Sequence, residues 1–232
     1  REAQDNVKVK DASVQKEHSN APRLSLLLLF APDFSTTSLN SYSGPGKAYG
    51  GMVEYSPLNR WSVSAGMIKN DKKYTSAGEY YNPPEGYWKR NTNGIIPSTI
   101  DGSCAVLEFP LLIRYTVSDK GSNRWTAGAG ASSYLMQSEA YEYNFEDPNP
   151  GAKSGWKSKG SSRFFFNMIN FTIAYEHRLA PGFMVGIEPY VKIPVEAIGW
   201  SNLKLFSTGA SVSMRYTLLR RATPMLKESP PD

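Results

Sequence analysis

Along several segments of this chain apolar and polar residues alternate one for one, and the polar phase carries full charges. Phe206, Ala210, Val212, Met214, Tyr216 and Leu218 share one phase, against Ser207, Gly209, Ser211, Ser213 and Arg215. Leu107, Phe109, Leu111, Ile113, Tyr115 and Val117 oppose Glu108, Arg114 and Thr116. Ile169, Phe171, Ile173 and Tyr175 oppose Asn170, Thr172, Ala174 and Glu176, while Phe183, Val185, Ile187 and Val191 oppose Gly186, Glu188, Tyr190 and Lys192. A period of two puts successive side chains on opposite faces of a strand. One face of this sheet is therefore greasy, and the other holds Glu54, Glu108, Arg114, Glu176, Glu188, Lys192 and Arg215.

Alternation alone also fits a half-buried soluble sheet. The aromatic residues arbitrate. Tyr55 and Trp61 bracket a short turn at 56–60, Tyr115 and Trp125 one around 118–123, and Tyr175 and Phe183 one at 178–182; Tyr216 ends the last strand-like segment. All seven rings lie on the apolar phase, where strands end. Rings in that position read as the girdle of a transmembrane barrel at one membrane–water interface. A soluble barrel inverts the chemistry, with apolar residues inside. Here the charged phase points inward, because Arg or Lys at the midplane of a barrel's lipid face costs roughly 2–4 kcal/mol.

Eight strands are predicted, at about 24–31, 48–56, 61–74, 103–117, 124–137, 163–177, 183–193 and 203–218. Long connections (32–47, 75–102, 138–162, 194–202) alternate with the three short turns, the outer-membrane pattern of long external loops and short periplasmic turns. The expected fold is all-β: an eight-stranded, up-and-down antiparallel transmembrane β-barrel, with both termini periplasmic. Residues 1–22 read as a polar periplasmic arm or linker, 23–218 as the barrel and 219–232 as a periplasmic tail. An eight-stranded barrel has an interior just wide enough for side chains to fill. Four inward acids and three inward bases are thus expected to pair into a plug rather than a pore, with small residues such as Gly66, Gly128, Gly130, Gly186 and Gly209 making room.

Composition does not contradict this. The mean hydropathy of −0.43 and the lack of any run of about 20 apolar residues exclude a spanning helix, but a barrel turns only alternate residues to lipid. The single cysteine, Cys104, excludes an internal disulfide and a cysteine metal cluster. The two histidines, His18 in the arm and His177 at a turn, offer no histidine base near an outer rim. No phosphate-cradling loop or metal-binding motif appears. We therefore expect no enzyme activity, no cofactor and no metal, and no nucleic-acid partner. Two long loops mix aromatics with bases: Tyr81, Tyr87, Trp88, Lys89 and Arg90 in one, Trp156 in the other. These either bind glycan, lipopolysaccharide or a protein partner, or pack as a lid over the barrel mouth.

Two segments carry a resemblance. Leu107-Glu108-Phe109-Pro110-Leu111-Leu112-Ile113-Arg114-Tyr115 and Glu188-Pro189-Tyr190-Val191-Lys192-Ile193-Pro194, followed by Gly199 and Ser207-Thr208-Gly209, resemble strands of small eight-stranded outer-membrane barrels of Bacteroidota (OmpA/OmpX/PorT-like). The prolines within these strands imply a bulge or a local break in pairing. Some barrels of this kind form the C-terminal part of dual-membrane-spanning anti-sigma regulators. The resemblance thus implies a non-enzymatic barrel in the outer membrane, in contact with its lipid and lipopolysaccharide, serving as the sensor or tether of an envelope-spanning signalling protein. An accessory subunit of a larger outer-membrane complex, docked on another outer-membrane or periplasmic protein, or a surface-loop adhesin or glycan binder, is the alternative.

Overall fold

The computed structural model describes residues 22–37, 44–160, 162–200 and 203–220. The proposed arm, with His18, and nearly all of the proposed tail lie outside these residues. Nine strands form: β1 (Arg23–Thr36), β2 (Gly46–Ser56), β3 (Trp61–Ala77), β4 (Thr99–Lys120), β5 (Asn123–Asn144), β6 (Gly155–Lys159), β7 (Arg163–Ala180), β8 (Phe183–Pro194) and β9 (Phe206–Arg220). Each of the eight long strands pairs antiparallel with its neighbour, and β1 pairs with β9, so the sheet closes on itself. Closure leaves no ladder edge along the barrel wall, the condition for spanning a bilayer with strands. No helix of the described residues is long and apolar enough to cross a membrane.

The eight strands occur where the alternation puts them, but they run longer at one end. β1 continues to Thr36, β3 to Ala77, β4 starts at Thr99 and β5 reaches Asn144, through segments expected to be loops. The reason is visible in the inward phase, which persists through Asp33 and Ser35, through Lys72, Tyr74 and Ser76, and through Glu139, Tyr141 and Tyr143, all buried. Polar composition disguised strands that kept alternating, in β5 after a bulge at Gln137 that moves the inward phase from even to odd positions. The ninth strand, β6, was not anticipated. It pairs with the upper part of β5, Ser138–Glu142, where β7 no longer reaches.

The prolines break pairing without a bulge at their own positions. The β3–β4 ladder skips from Ala65↔Leu111 to Ile68↔Glu108 beside Pro110, while Pro110 stays in register with Ser132 of β5. Likewise the β7–β8 ladder skips from Thr172↔Tyr190 to Tyr175↔Ile187 around Pro189, and β1–β9 skips from Phe30↔Val212 to Asp33↔Gly209 around Pro32. A missing N–H opens one side of the ladder and spares the other. Two short turns are closed by glycines in left-handed conformation, Gly121 (φ 58°) and Gly182 (φ 80°).

Candidate functional site

The outward phase is a continuous apolar band. Leu28, Phe30, Val53, Met67, Leu111, Ile113, Phe171, Ile173, Val212 and Met214 are all exposed on the outer wall. On β4 the band runs from Leu107 to Val117, which at about 3.4 Å per residue and a tilt near 40° spans about 25 Å along the barrel axis. That is the hydrocarbon height outer-membrane barrels present. At the short-turn end the band finishes in rings that are cross-strand neighbours. Trp61 lies opposite Tyr115 with centroids 4.9 Å apart, and Trp125 opposite Tyr175, also 4.9 Å. Phe183 pairs with Tyr216, and Tyr55 lies between Leu24 and Val63. His177 is exposed at the same end, its Nδ1 2.8 Å from Asn123 Oδ1.

Inside, the structure places Glu54, Glu108, Arg114, Glu176, Glu188, Lys192 and Arg215 below 10% exposure, in direct ion pairs. Two further buried charges, Asp33 and Lys72, and the half-buried Arg124 join them. Towards the short-turn end, the Arg215 guanidinium bridges Glu54 and Glu176, donating from Nε to Glu176 Oε1 at 2.6 Å. Arg124 reaches the same two carboxylates at 3.3 Å each. Arg114 makes a two-pronged bond to Glu188 (2.7 and 2.9 Å) and approaches Glu54 at 3.7 Å. Nearer mid-barrel, Lys192 donates to Glu108 at 2.6 Å, and Asn70 and Ser132 complete that carboxylate at 2.8 and 2.7 Å. Lys72 pairs with Asp33 at 3.0 Å and donates to Ser207 at 2.6 Å, while Tyr190 donates to Asp33 at 3.0 Å.

These five acids and five bases cancel in net charge within the network, which offsets their removal from water, while Glu139, buried nearer the loops, is held by the Tyr141 hydroxyl and the Trp200 N–H instead. Glycine supplies the space: a Cβ on Gly128 would lie 3.2 Å from Arg114 Cγ, and one on Gly186 2.8 Å from Glu176 Cγ. The side chains fill the lumen down to a pocket of about 40 Å³ between Glu108, Arg114 and Tyr190. This is a plug, not a conduit. Asp33, Lys72 and Arg124 were absent from the sequence-derived set although all three sit in the inward phase. Extending that phase to each strand's end finds them.

At the long-loop end the lumen changes chemistry. Tyr74, Ile100, Val106, Met136, Tyr141, Tyr143 and Leu205 form an apolar cluster. The connection between β3 and β4 folds over it through a 3-10 turn (Gly78–Tyr80) and a short helix α1 (Tyr87–Asn91). Tyr81 and Tyr87 are buried in this cap at 2% and 7% exposure, so neither is a surface ligand contact. Burial holds the Tyr81 phenol well above the usual range. Trp88 packs edge-on against Tyr87 and Tyr143. Trp156, from β6, stacks on Trp200 at 4.4 Å. Glu139 accepts from the Trp200 backbone N–H at 3.0 Å and so ties the last loop into the cap. Lys89 and Arg90 alone of the sequence-derived loop set face solvent.

Solved structures share this architecture. Neisserial surface protein A superposes with a TM-score of 0.50 at 11% identity, covering 83% of this chain and 96% of that one. The fold is that of a small outer-membrane β-barrel. The N-terminal barrel domain of Pseudomonas aeruginosa OprF (TM-score 0.46, 9% identity, 84% and 97% covered) and Ail, the attachment invasion locus protein of Yersinia pestis (0.45, 10%, 84% and 99%), are also similar. No family model matches the chain, and no curated protein matches it.

Proposed function

We propose that this barrel is a non-enzymatic integral protein of the outer membrane, with its short turns and both termini on the periplasmic side and its capped end outside. One observation carries the reading: an apolar outer wall of bilayer height surrounds an ionic, sealed lumen. Such a body inserts stably and passes nothing through, so its task is to anchor chain and to present the capped end. The motif resemblance extends this to a sensor or tether for an envelope-spanning signalling protein, a role that suits a rigid plug better than a channel. The exposed Lys89 and Arg90 on α1 favour a second reading, a loop surface that docks an acidic glycan or a partner of a larger outer-membrane complex.

Membrane fractionation and heat-dependent gel mobility of the refolded chain test the barrel reading. A protein that dissolves without detergent ends it. Cysteine labelling of intact cells tests the orientation: a probe at Ile96 is expected to react from outside and one at Asn59 only after permeabilisation. Isolation in detergent tests the two roles. A tether should leave the membrane alone, and an accessory subunit with its complex.

A further inference from the structure

Of the strands described, β6 alone is paired on one side only. Along one edge, β5 pairs with β7 up to Leu135↔Arg163 and with β6 from Ser138 to Glu142. β6 meets no other strand. Its hydrogen bonds define which groups face the bare side. Tyr143 N–H donates to the Ser154 carbonyl at 2.8 Å. Bonded and non-bonded pairs alternate along an antiparallel ladder. Ser154, Trp156 and Ser158 therefore turn their main-chain groups to β5, and Gly155, Lys157 and Lys159 turn theirs away. Lys153 shares the second phase, and its N–H has an acceptor there, the Asn91 carbonyl at 2.8 Å. For Gly155, Lys157 and Lys159 there is no main-chain partner on that side among the described residues. The edge lies level with Ser138 and Ala140, beyond Leu135, so it stands in water above the apolar band. Both lysine side chains are exposed and face out, because Trp156 between them and Gly155 is held inward by its stack on Trp200.

A bare edge is a template for another strand. We infer that β6 is a docking edge for an extended acidic segment of a partner protein, which joins the sheet through main-chain bonds to Gly155, Lys157 and Lys159. In such a strand the residues bonded to Lys157 and Lys159 also sit directly opposite them, with side chains about 5 Å away on the outer face. Acids at those alternate positions complement both lysines. The residues between them turn to the side of Trp156 and Trp200 and are apolar. Glu142 is the outward acid on β5 here, opposite Gly155. It stands two strand spacings, or about 10 Å, from an added strand, whereas the lysines are one spacing away, so the lysines set the sign that a partner meets. A second copy of the chain does not suit this edge. Antiparallel pairing of two β6 strands, centred anywhere from Gly155 to Lys159 with outward faces matched, sets a lysine among 153, 157 and 159 opposite another, and like charges in that position are destabilising. The inference rests on the second reading above, a capped end that docks a partner of a larger complex, and gives that reading its surface.

The test uses the full chain reconstituted in phosphatidylcholine bilayers and a short fluorescent peptide that alternates glutamate with valine. In the free barrel, hydrogen exchange is expected to be fast at the amides of Lys157 and Lys159 and slow at those of Trp156 and Ser158. Slow exchange at 157 and 159 without peptide means that the edge is already occupied, and overturns the site. Added peptide is expected to protect both amides. Methylating the glutamate amides of the peptide, which face β6, should abolish binding, while methylating the valine amides, which face away, should leave it intact. Indifference to both methylations overturns strand addition. The Lys157→Gln/Lys159→Gln variant is expected to bind the peptide roughly fivefold more weakly. A peptide with lysine in place of glutamate that binds wild type as well as the acidic one overturns the choice of occupant. Heat-dependent gel mobility separates the failures: a chain that inserts but adds no peptide refutes the edge alone, and one that does not insert refutes the barrel reading and the edge with it.

Discussion

The two ends of the lumen are sealed by different materials. Towards the short turns, Arg215, Arg124 and Arg114 are locked to Glu54, Glu176 and Glu188 by directional bonds. Towards the loops, Tyr81, Tyr87, Tyr141, Trp156 and Trp200 make ring contacts of varied geometry, from stacked to edge-on. The ionic end is demanding: a buried pair is roughly neutral against a hydrophobic replacement, but half of one is very costly. The aromatic end is forgiving, because dispersion and ring contacts degrade gradually as a partner is lost. The same bore therefore combines one part that enforces a single arrangement with one that tolerates change. Loops that vary belong over the tolerant part.

This contrast can be broken at its strongest point first. Arg215→Ala removes the strongest partner of both Glu54 and Glu176 and leaves the two buried carboxylates to share Arg124, with Arg114 at 3.7 Å from Glu54. We expect a loss of about 3–5 kcal/mol in urea unfolding of the reconstituted barrel, to the point of failed insertion. Trp200→Ala should cost about 2 kcal/mol, less than a fully buried ring because it is only partly covered. Its signature should be faster proteolysis within 78–98 with unfolding of the strands almost unchanged. If Trp200→Ala costs as much as Arg215→Ala, the two ends do not differ. Replacing both partners of a pair, Arg114→Met with Glu188→Met, should move stability by about 1 kcal/mol or less, while either single change is far worse; a double-mutant cycle reads the coupling. Tyr134→Phe, at the seam where Lys72 lies 5.8 Å from the ring centroid, should shift stability by no more than about 0.5 kcal/mol. Its buried hydroxyl has no hydrogen-bond partner among the described residues, so its removal forfeits no bond.

The ionic end was readable in the sequence and the aromatic end was not, for a physical reason. Glu108, Arg114, Glu188 and Arg215 betray themselves because a charge in phase with glycine and serine, opposite Leu or Val, has only one place to go in a membrane. Asp33 was hidden by Pro32 and Lys72 by the basic run around it, although each kept the inward phase. Which acid meets which base depends on strand stagger around a closed cylinder, and no single strand encodes that. In the cap, the sequence displays the rings of 80–88 but not their contacts. A cluster assembled from β5, β6, α1 and the 195–205 connection has no periodicity to detect. Tyr81 and Tyr87 therefore fitted a ligand contact and a lid equally well in the sequence, and their burial makes them part of the lid. β6 escaped notice because five residues with two lysines and a tryptophan have no alternation long enough to recognise.

The pairing of β1 with β9 has a consequence for biogenesis. The barrel's first strand is completed by its last, so every intermediate short of β9 exposes two raw margins of main chain, at β1 and at β8. Such a species is a template for joining other chains edge to edge. A chain cut before Phe206 should accordingly not yield a smaller cylinder. It should yield material that depends on a holding chaperone or precipitates, however sound its remaining strands.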